Sequence, residues 1–442
     1  MTSSLKSPTQ QTETMKSLAL EGGPKARTVP LPTRHLFGVD EKEAVMRLFD
    51  EAIAKGSHLL GYNGPQEEAY CKEFAEMLGG GFADGVNSGT NAVYVALRAL
   101  ELEPYGEVIV SPISDPGGIM PVVLCNLIPV PADSVPGSFN TSAEQIAARI
   151  TPRTRAILVA HISGIPVDMD PVLELARKHH LAVIEDCAQC HGAKYKGRML
   201  GSLGDIAAFS TMFGKHHATG GQGGVVFTKD EKRYWKVRQH ADRGKPFGVT
   251  LTGGAGAGVG AAASAGGNLL AALNCNMDEI HACIGRVQLK KLLGFVRLRR
   301  AFAQQVANGC RGLKGVKMLG DPPGCEGSYW FLFFRFAASA YRVDKAAFVK
   351  ALVAEGLPFD PSYLYVPPRQ PWAVNRHVFG DGSAGLPWSA AGLSHVAPSL
   401  PNIEATDAAH FRICFHEGWG TAEAADLVAA LYKVERAYLR RD

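Results

Sequence analysis

The chain has 442 residues, enough for two or three domains with a buried core, and its 46% hydrophobic and 20% charged content is that of an ordinary soluble globular protein. A net charge of +4 is too mild to imply a nucleic-acid or membrane-surface partner, and no apolar run is long enough for a membrane span. Nine cysteines, an odd number at scattered positions, fit reduced thiols in a cytoplasmic protein rather than a disulfide framework.

Residues 1–17, MTSSLKSPTQQTETMKS, lack the apolar core of a secretory signal and read as a disordered polar tail. Helical spacing of Val45, Leu48, Phe49 and Ile53 predicts a helix over Glu41–Lys55 with Asp40 as N-cap; a second helix follows over Gln66–Leu78. Phe82–Asn87 reads as a strand. Ser88-Gly89-Thr90 then opens a helix to about Leu102, whose start is either an ordinary N-cap or a set of free backbone N–H groups for a phosphate. Strands are expected over Glu107–Ile113, Leu127–Pro131 and Thr154–Ile162, with Asp115 in a turn before Pro116-Gly117-Gly118. Asp170-Pro171 fits an N-cap with proline at the first helical position, for a helix ending near His180. His161 fits a core or loop residue; His179 and His180 fit a solvated last turn.

The most informative stretch is Leu181–Thr228. Its apolar run Leu181–Ile184 suits a buried strand that delivers Glu185 and Asp186 to its carboxyl edge, where open α/β sheets bind ligands. Then come the apolar run Asp205–Met212, Lys215, the Gly-rich turn Gly220–Gly224 and a strand over Val225–Thr228. Cys187 and Cys190 form a CxxC whose redox reading is weak, because it lies across the same edge. Strands alternating with helices predict a mostly parallel sheet flanked by helices. After a charged helix at Glu231–Asp242, the Gly/Ala-rich stretch 244–267 predicts a mobile loop. A long amphipathic helix is expected over Asp278–Gly309, with Arg297, Arg299 and Arg300 on a solvated face. The aromatic strand Tyr329–Phe336 opens a smaller α/β unit with helices over Val343–Glu355 and Thr421–Arg440. The loop Asp360–Trp372, with Tyr363 and Tyr365, carries no assigned role.

A lysine and a carboxylate, each at a strand edge, meet the needs of pyridoxal 5'-phosphate (PLP): an amine for a Schiff base and an acid that keeps the pyridine nitrogen protonated. Lys215 and Asp186 are the right types. The series Asp186-Cys187-Ala188-Gln189, Gly201-Ser202-Leu203-Gly204-Asp205, Phe209-Ser210, Lys215 and Thr219-Gly220-Gly221-Gln222-Gly223-Gly224 resembles the pattern of the DegT/StrS-type sugar aminotransferases. The resemblance covers about Leu18 to Leu439. It implies an α/β chain of the fold type I PLP-transferase kind: a PLP-binding large domain at 18–310 and a small C-terminal domain at 311–442, after the tail. It implies Lys215 and Asp186 as the catalytic pair, Ser88, Gly89, Thr90 and Ser210 at the cofactor phosphate, and Gln189 against the ring or its phenolic oxygen. Asn274 would reach the cofactor phosphate of a neighbouring subunit, hence a homodimer with shared sites. The implied reaction moves an amino group from glutamate or glutamine to a keto-sugar or cyclitol, in amino-sugar or natural-product biosynthesis.

The chain also departs from the family pattern. Asn276 stands in place of an arginine, and Asp115 in place of an aromatic that stacks on the ring. An acid there would favour a protonated Schiff base or bind a cationic substrate, and it leaves a free sugar, a sugar phosphate or a cyclitol open beside a nucleotide sugar. Counted forward from Ser210, Lys215 falls on the Schiff-base position; counted back from Gly223-Gly224, His216 does. A branch of the family with histidine there acts as a sugar 3-dehydratase. That reading, and a PLP-binding regulatory protein without catalysis, stand as alternatives. No metal-ligand cluster is visible in the sequence.

Overall fold

The computed structural model describes residues 17–248 and 267–440, apart from 364, 367, 368, 381, 382, 384 and 394–397. The expected tail lies outside the described residues except for Ser17, and so does the expected mobile loop from 249 to 266.

Helices α1 (Val39–Lys55) and α2 (Pro65–Met77) precede an alternating series: β1 (Phe82–Val86), α3 (Gly89–Ala99), β2 (Glu107–Val110), α4 (Pro116–Leu124), β3 (Ile128–Pro131), α5 (Ala143–Ala147), β4 (Thr154–Ala160), α6 (Met169–His179) and β5 (Ala182–Asp186). A ribbon of β6 (Lys194–Tyr195) and β7 (Arg198–Met199) leads to β8 (Ile206–Ser210), β9 (Gly224–Thr228), α7 (Glu231–Ala241) and the long α8 (Glu279–Gly309). The remainder comprises β10 (Val316–Met318), β11 (Cys325–Glu326), β12 (Phe331–Phe336), α9 (Lys345–Ala354), β13 (Phe359–Asp360), α10 (Pro371–Val374), α11 (Pro401–Ala408), β14 (His410–Cys414) and α12 (Thr421–Tyr438).

Seven strands form one sheet in the order β1-β9-β8-β5-β4-β2-β3. Within it β9 runs antiparallel to β8 and β1, and the other pairings are parallel. The inner strands are runs of Val, Ile, Leu and Ala buried on both faces, as a parallel sheet between helix layers requires. Alternation assigns Ile109, Ile157 and Val183 to one core with Phe74 of α2 and Val172 of α6, and Val108, Leu158 and Ile184 to another with Val93 of α3 and Val237 of α7. Each such fully buried side chain contributes about 1.5–3 kcal/mol. A second, antiparallel sheet, β10-β12-β14-β13, packs on α9 and α12 through Phe334, Phe336, Phe348, Phe411, Leu427 and Leu431.

Several boundaries differ from expectation for local reasons. Strand β2 stops at Val110 rather than Ile113, because Ser111 Oγ takes the amide of Ala160 at 2.9 Å and replaces the ladder. Helix α1 is capped by Gly38, not Asp40, and Glu41 reaches back to the Gly38 amide at 2.7 Å. Helix α6 starts after Asp168, whose carboxylate accepts from the Tyr195 hydroxyl; Asp170 lies in the first turn and pairs with Lys196 and Arg198 at 2.7 and 2.9 Å.

The arginines of α8 do not share a solvated face. Arg297 is exposed, but Arg299 is buried. Its guanidinium meets Glu417 at 3.0 Å and donates to the carbonyls of Tyr329, Trp330 and Phe415 at 3.1, 3.3 and 3.2 Å. Arg300 donates to the Gly327 carbonyl at 2.7 Å. Helix α8 runs beside the unpaired carbonyls where β12 starts and β14 ends, and the five-donor guanidinium fork satisfies them.

Candidate active site

The residues singled out by sequence gather at the carboxyl edge of the large sheet, after β1, β2, β4, β5 and β8. Ser88 caps α3, its Oγ accepting from the Asn91 amide at 3.1 Å. The helix start lies against Ser210 at the end of β8: a Cβ on Gly89 would come within 2.8 Å of Ser210 Oγ, so a larger residue would push the two apart. His191 Nε2 donates to the Ser210 carbonyl at 2.9 Å and fixes it from behind.

Asp186 ends β5 and is buried. Its Oδ1 accepts from the Ala188 amide at 3.0 Å, while its Oδ2 has only a long 3.4 Å contact from Ser114 Oγ. Gly118 passes so close above it that a Cβ there would lie 2.8 Å from Oδ2. Burial raises the Asp186 pKa; the Ala188 amide and Lys215 oppose the shift, and Asp115 adds to it. Lys215 follows β8 and is buried, its Nζ 3.7 Å from the centroid of the Trp330 ring. Burial lowers its pKa to about 8, against the opposing charges of Asp186 and Asp115. The Trp330 Nε1–H donates to the Gly214 carbonyl at 3.1 Å, which pins the indole beside the lysine.

Gln189 is held by both ends of its amide: Oε1 accepts from the Ser163 amide at 2.7 Å, and Nε2 donates to the Tyr363 hydroxyl at 2.9 Å. Asp115 caps α4, Oδ1 accepting from the Gly117 amide at 3.0 Å, and is exposed. Its charge also acts on Lys215 and Asp186, so the turn reading and the site reading both describe it.

Two residues stand apart. His216 is buried away from this group, its Nε2–H donating to the Ser328 carbonyl at 3.1 Å; burial and Arg299 push its pKa well below the usual histidine value. Asn274 is exposed, and its carboxamide oxygen accepts from Asn276 Nδ2 at 2.7 Å.

The Gly201–Asp205 motif serves Glu185, the neighbour of Asp186. The amides of Gly201, Leu203 and Gly204 converge on its carboxylate at 2.9, 2.8 and 2.8 Å, and His161 Nε2 lies 3.3 Å from it. This locks the end of β5 and with it the direction of Asp186. The fold also gathers His161, Cys187 and Cys190, with one ligand atom of each within 4.8 Å of the others. His161 has spent its other nitrogen on the Val167 amide at 3.1 Å, and burial pushes both thiols up, so the group serves packing. Sequence reasoning assigned nothing to Ser114, Trp330 or Tyr363. Trp330 stood in a run of aromatics that a core also explains, and Tyr363 in a loop left without a role.

The chain belongs to the DegT/DnrJ/EryC1/StrS aminotransferase family, whose model matches residues 40–413. It is an enzyme of that aminotransferase class, and its cofactor is PLP. GDP-perosamine synthase of Caulobacter vibrioides is 37% identical over 225 residues, half of this chain and 55% of that protein. The L-glutamine:2-deoxy-scyllo-inosose aminotransferase of Streptomyces fradiae is 30% identical over 95% of this chain and 97% of its own length. The structure of an aminotransferase from Psychrobacter cryohalolentis, 28% identical, superposes with a TM-score of 0.74 over 92% of this chain and 98% of that one. The fold is therefore fold type I, as expected.

Proposed function

We propose that the protein transfers an amino group from glutamine or glutamate to the ketone of a sugar or cyclitol, with Lys215 and Asp186 as the reacting pair. One observation carries this: a buried amine with a pKa near 8 shares a site with a buried acid, one of whose oxygens lacks a strong partner. PLP, when bound, supplies an electron-accepting ring that stores the amino group between the two halves of the reaction. The residues fit it. Lys215 would hold it through its amine, and Asp186 Oδ2 is free to take the ring N–H. The α3 start, kept close to Ser210 by Gly89, offers amides to a phosphate. Gln189 is fixed beside them.

Once released, Lys215 Nζ removes and returns the proton at the substrate's reacting carbon. Its lowered pKa leaves roughly a tenth of the amine neutral at pH 7. Trp330 shields one side of Nζ from water.

The relatives support this reading by name: one is an aminotransferase for L-glutamine and 2-deoxy-scyllo-inosose, and the other a synthase of GDP-perosamine. Exposed Asn274 would serve the site of a second copy, making the working unit a homodimer; an active monomer in sedimentation would refute this. All nine cysteines are free, in keeping with the cytoplasm, and among the described residues no helix is long and apolar enough to cross a membrane. Adding glutamine to the holoenzyme should shift the cofactor's visible band to that of its amine form, and a keto-sugar or cyclitol should restore it. Lys215→Ala should abolish the shift and His216→Ala should keep it; the reverse would favour the dehydratase reading, and no shift with cofactor bound the non-catalytic one.

A further inference from the structure

Two polar groups beside the cofactor cradle are not used by the reaction above. Asp115 is exposed, and only its Oδ1 is engaged, by the Gly117 amide at 3.0 Å. Its neighbour Ser114 reaches Asp186. Tyr363 accepts from Gln189 at 2.9 Å, so its own O–H proton is left for another acceptor. The loop carrying it is anchored: Asp407 accepts from Ser362 Oγ at 2.7 Å and from the Tyr363 amide at 3.0 Å, and Arg412 lies 4.8 Å from the ring centroid. Ser114 meets Asp186 and Tyr363 meets Gln189, three residues further along, so Asp115 and Tyr363 both flank the turn that follows β5, and the negative charge of Asp115 acts on Tyr363 as well as on Lys215.

The arginines near Lys215 and Tyr363 are already matched by carboxylates. Arg34, which donates to the Lys215 carbonyl at 2.7 Å, and Arg299 both pair with Glu417, at 2.8 and 3.0 Å; Arg412 pairs with Asp360 at 2.7 Å. Among the described residues of these two loops, the groups left unspent are one Asp115 oxygen and the Tyr363 hydroxyl proton. A pyrophosphate there would meet like charge, and an ammonium group opposite charge.

We propose that Asp115 and Tyr363 form the acceptor subsite and select a polyhydroxylated ketone that carries an ammonium group and no phosphate. Asp115 pairs with the ammonium, and Tyr363 donates to an oxygen on the same ring. The proposal rests on the aminotransferase reading of the site.

The test is a comparison of kcat/KM for three ketones, with holoenzyme and L-glutamine: 2-deoxy-scyllo-inosose, 3-amino-2,3-dideoxy-scyllo-inosose and a UDP-linked keto-sugar. The first two differ by a hydroxyl against an ammonium. The wild type should prefer the ammonium ketone by about ten- to a hundredfold, mostly in KM, and the preference should shrink as salt rises. Asp115→Asn keeps the helix cap and should bring the preference close to one. Tyr363→Phe should lower kcat/KM for both cyclitols by a similar factor and leave their ratio alone. Three results would overturn the proposal: a preference that survives Asp115→Asn, an equal loss on both cyclitols in that variant, or a wild-type preference for the UDP-sugar. If glutamine converts the cofactor but none of the three ketones is aminated, the acceptor subsite is wrong and the donor half stands. If glutamine does not convert it, the underlying reading fails and takes this one with it.

Discussion

Lys215 with Asp186 is a buried acid–base grouping and Arg299 with Glu417 a largely buried one, and Trp330 touches each: its ring lies against Lys215 Nζ, and its carbonyl accepts from Arg299. Around Arg299 the donors are filled by Glu417 and three carbonyls. Burial works to raise the Glu417 pKa, yet Arg299 and Arg34 bring it below the usual carboxylate value. Burial lowers both bases, Arg299 to about 10 and Lys215 to about 8, so the contrast lies in the acids: Glu417 is held down, whereas Asp186 is pushed up toward its neutral form. Burial costs both groupings alike. Hydrogen bonds to the charged forms make one of them scaffold, and their scarcity leaves the other ready to react.

The comparison can be broken at several points. The largest effect is expected from Lys215→Ala, which should slow amination by at least about a thousandfold in steady-state assays while the protein stays folded. Arg299→Met should leave amination chemistry intact in whatever remains folded, yet lower stability to denaturant by about 3–5 kcal/mol, because it takes the donor from three carbonyls and leaves Glu417 with Arg34 alone. Lys215→Met in the apoprotein should cost less than about 1.5 kcal/mol, since Asp186 is already shifted toward its neutral form. Equal costs for the two methionine variants would erase the distinction.

A subtler test uses pH. The folded pKa of Lys215, about 8, lies below its ordinary 10.5. The penalty for a charged lysine is therefore complete below pH 8 and is released as pH rises toward 10.5, so the apoprotein gains stability across that window. The rate of PLP uptake by the apoprotein should climb about tenfold per pH unit up to about 8 and then level off. In Asp186→Asn the bend should move to lower pH, because the carboxylate charge holds the amine's value up. The smallest effect is expected from Arg297→Ala, within about 0.5 kcal/mol, as for an exposed residue.

The cluster at the carboxyl edge of the large sheet was legible in the sequence because each of its parts, from Ser88 to Lys215, lies one loop away from a strand of recognisable composition. The Gly201–Asp205 motif was readable as a pattern but not as a device, because its ligand, Glu185, is known only once three amides are seen to converge on it. Arg299 was misread for a related reason. An arginine among polar residues on an amphipathic helix looks solvated until the carbonyls it serves, more than 25 residues further on, are brought beside it. Tyr363 and Gln189 are 174 positions apart, and no periodicity encodes such a meeting.

The register puzzle around Lys215 follows from the one reversed strand of the large sheet. Ser210 and Gly224 face each other across β8 and β9, so the segment between them leaves and returns at a single point. Its outgoing arm is tied by the Lys215 amide to the Met212 carbonyl at 2.9 Å, and its base is closed by Thr211 and Gly223 at 2.8 Å. Its returning arm is tied as well, by the Thr219 amide to the Thr211 carbonyl at 3.0 Å and by the Gly221 carbonyl to the Phe213 amide at 3.2 Å. Counting forward from Ser210 follows one arm of this closed loop and reaches Lys215, and counting back from Gly223 follows the other and reaches His216, so the two counts measure two different arms that begin and end at one strand pair.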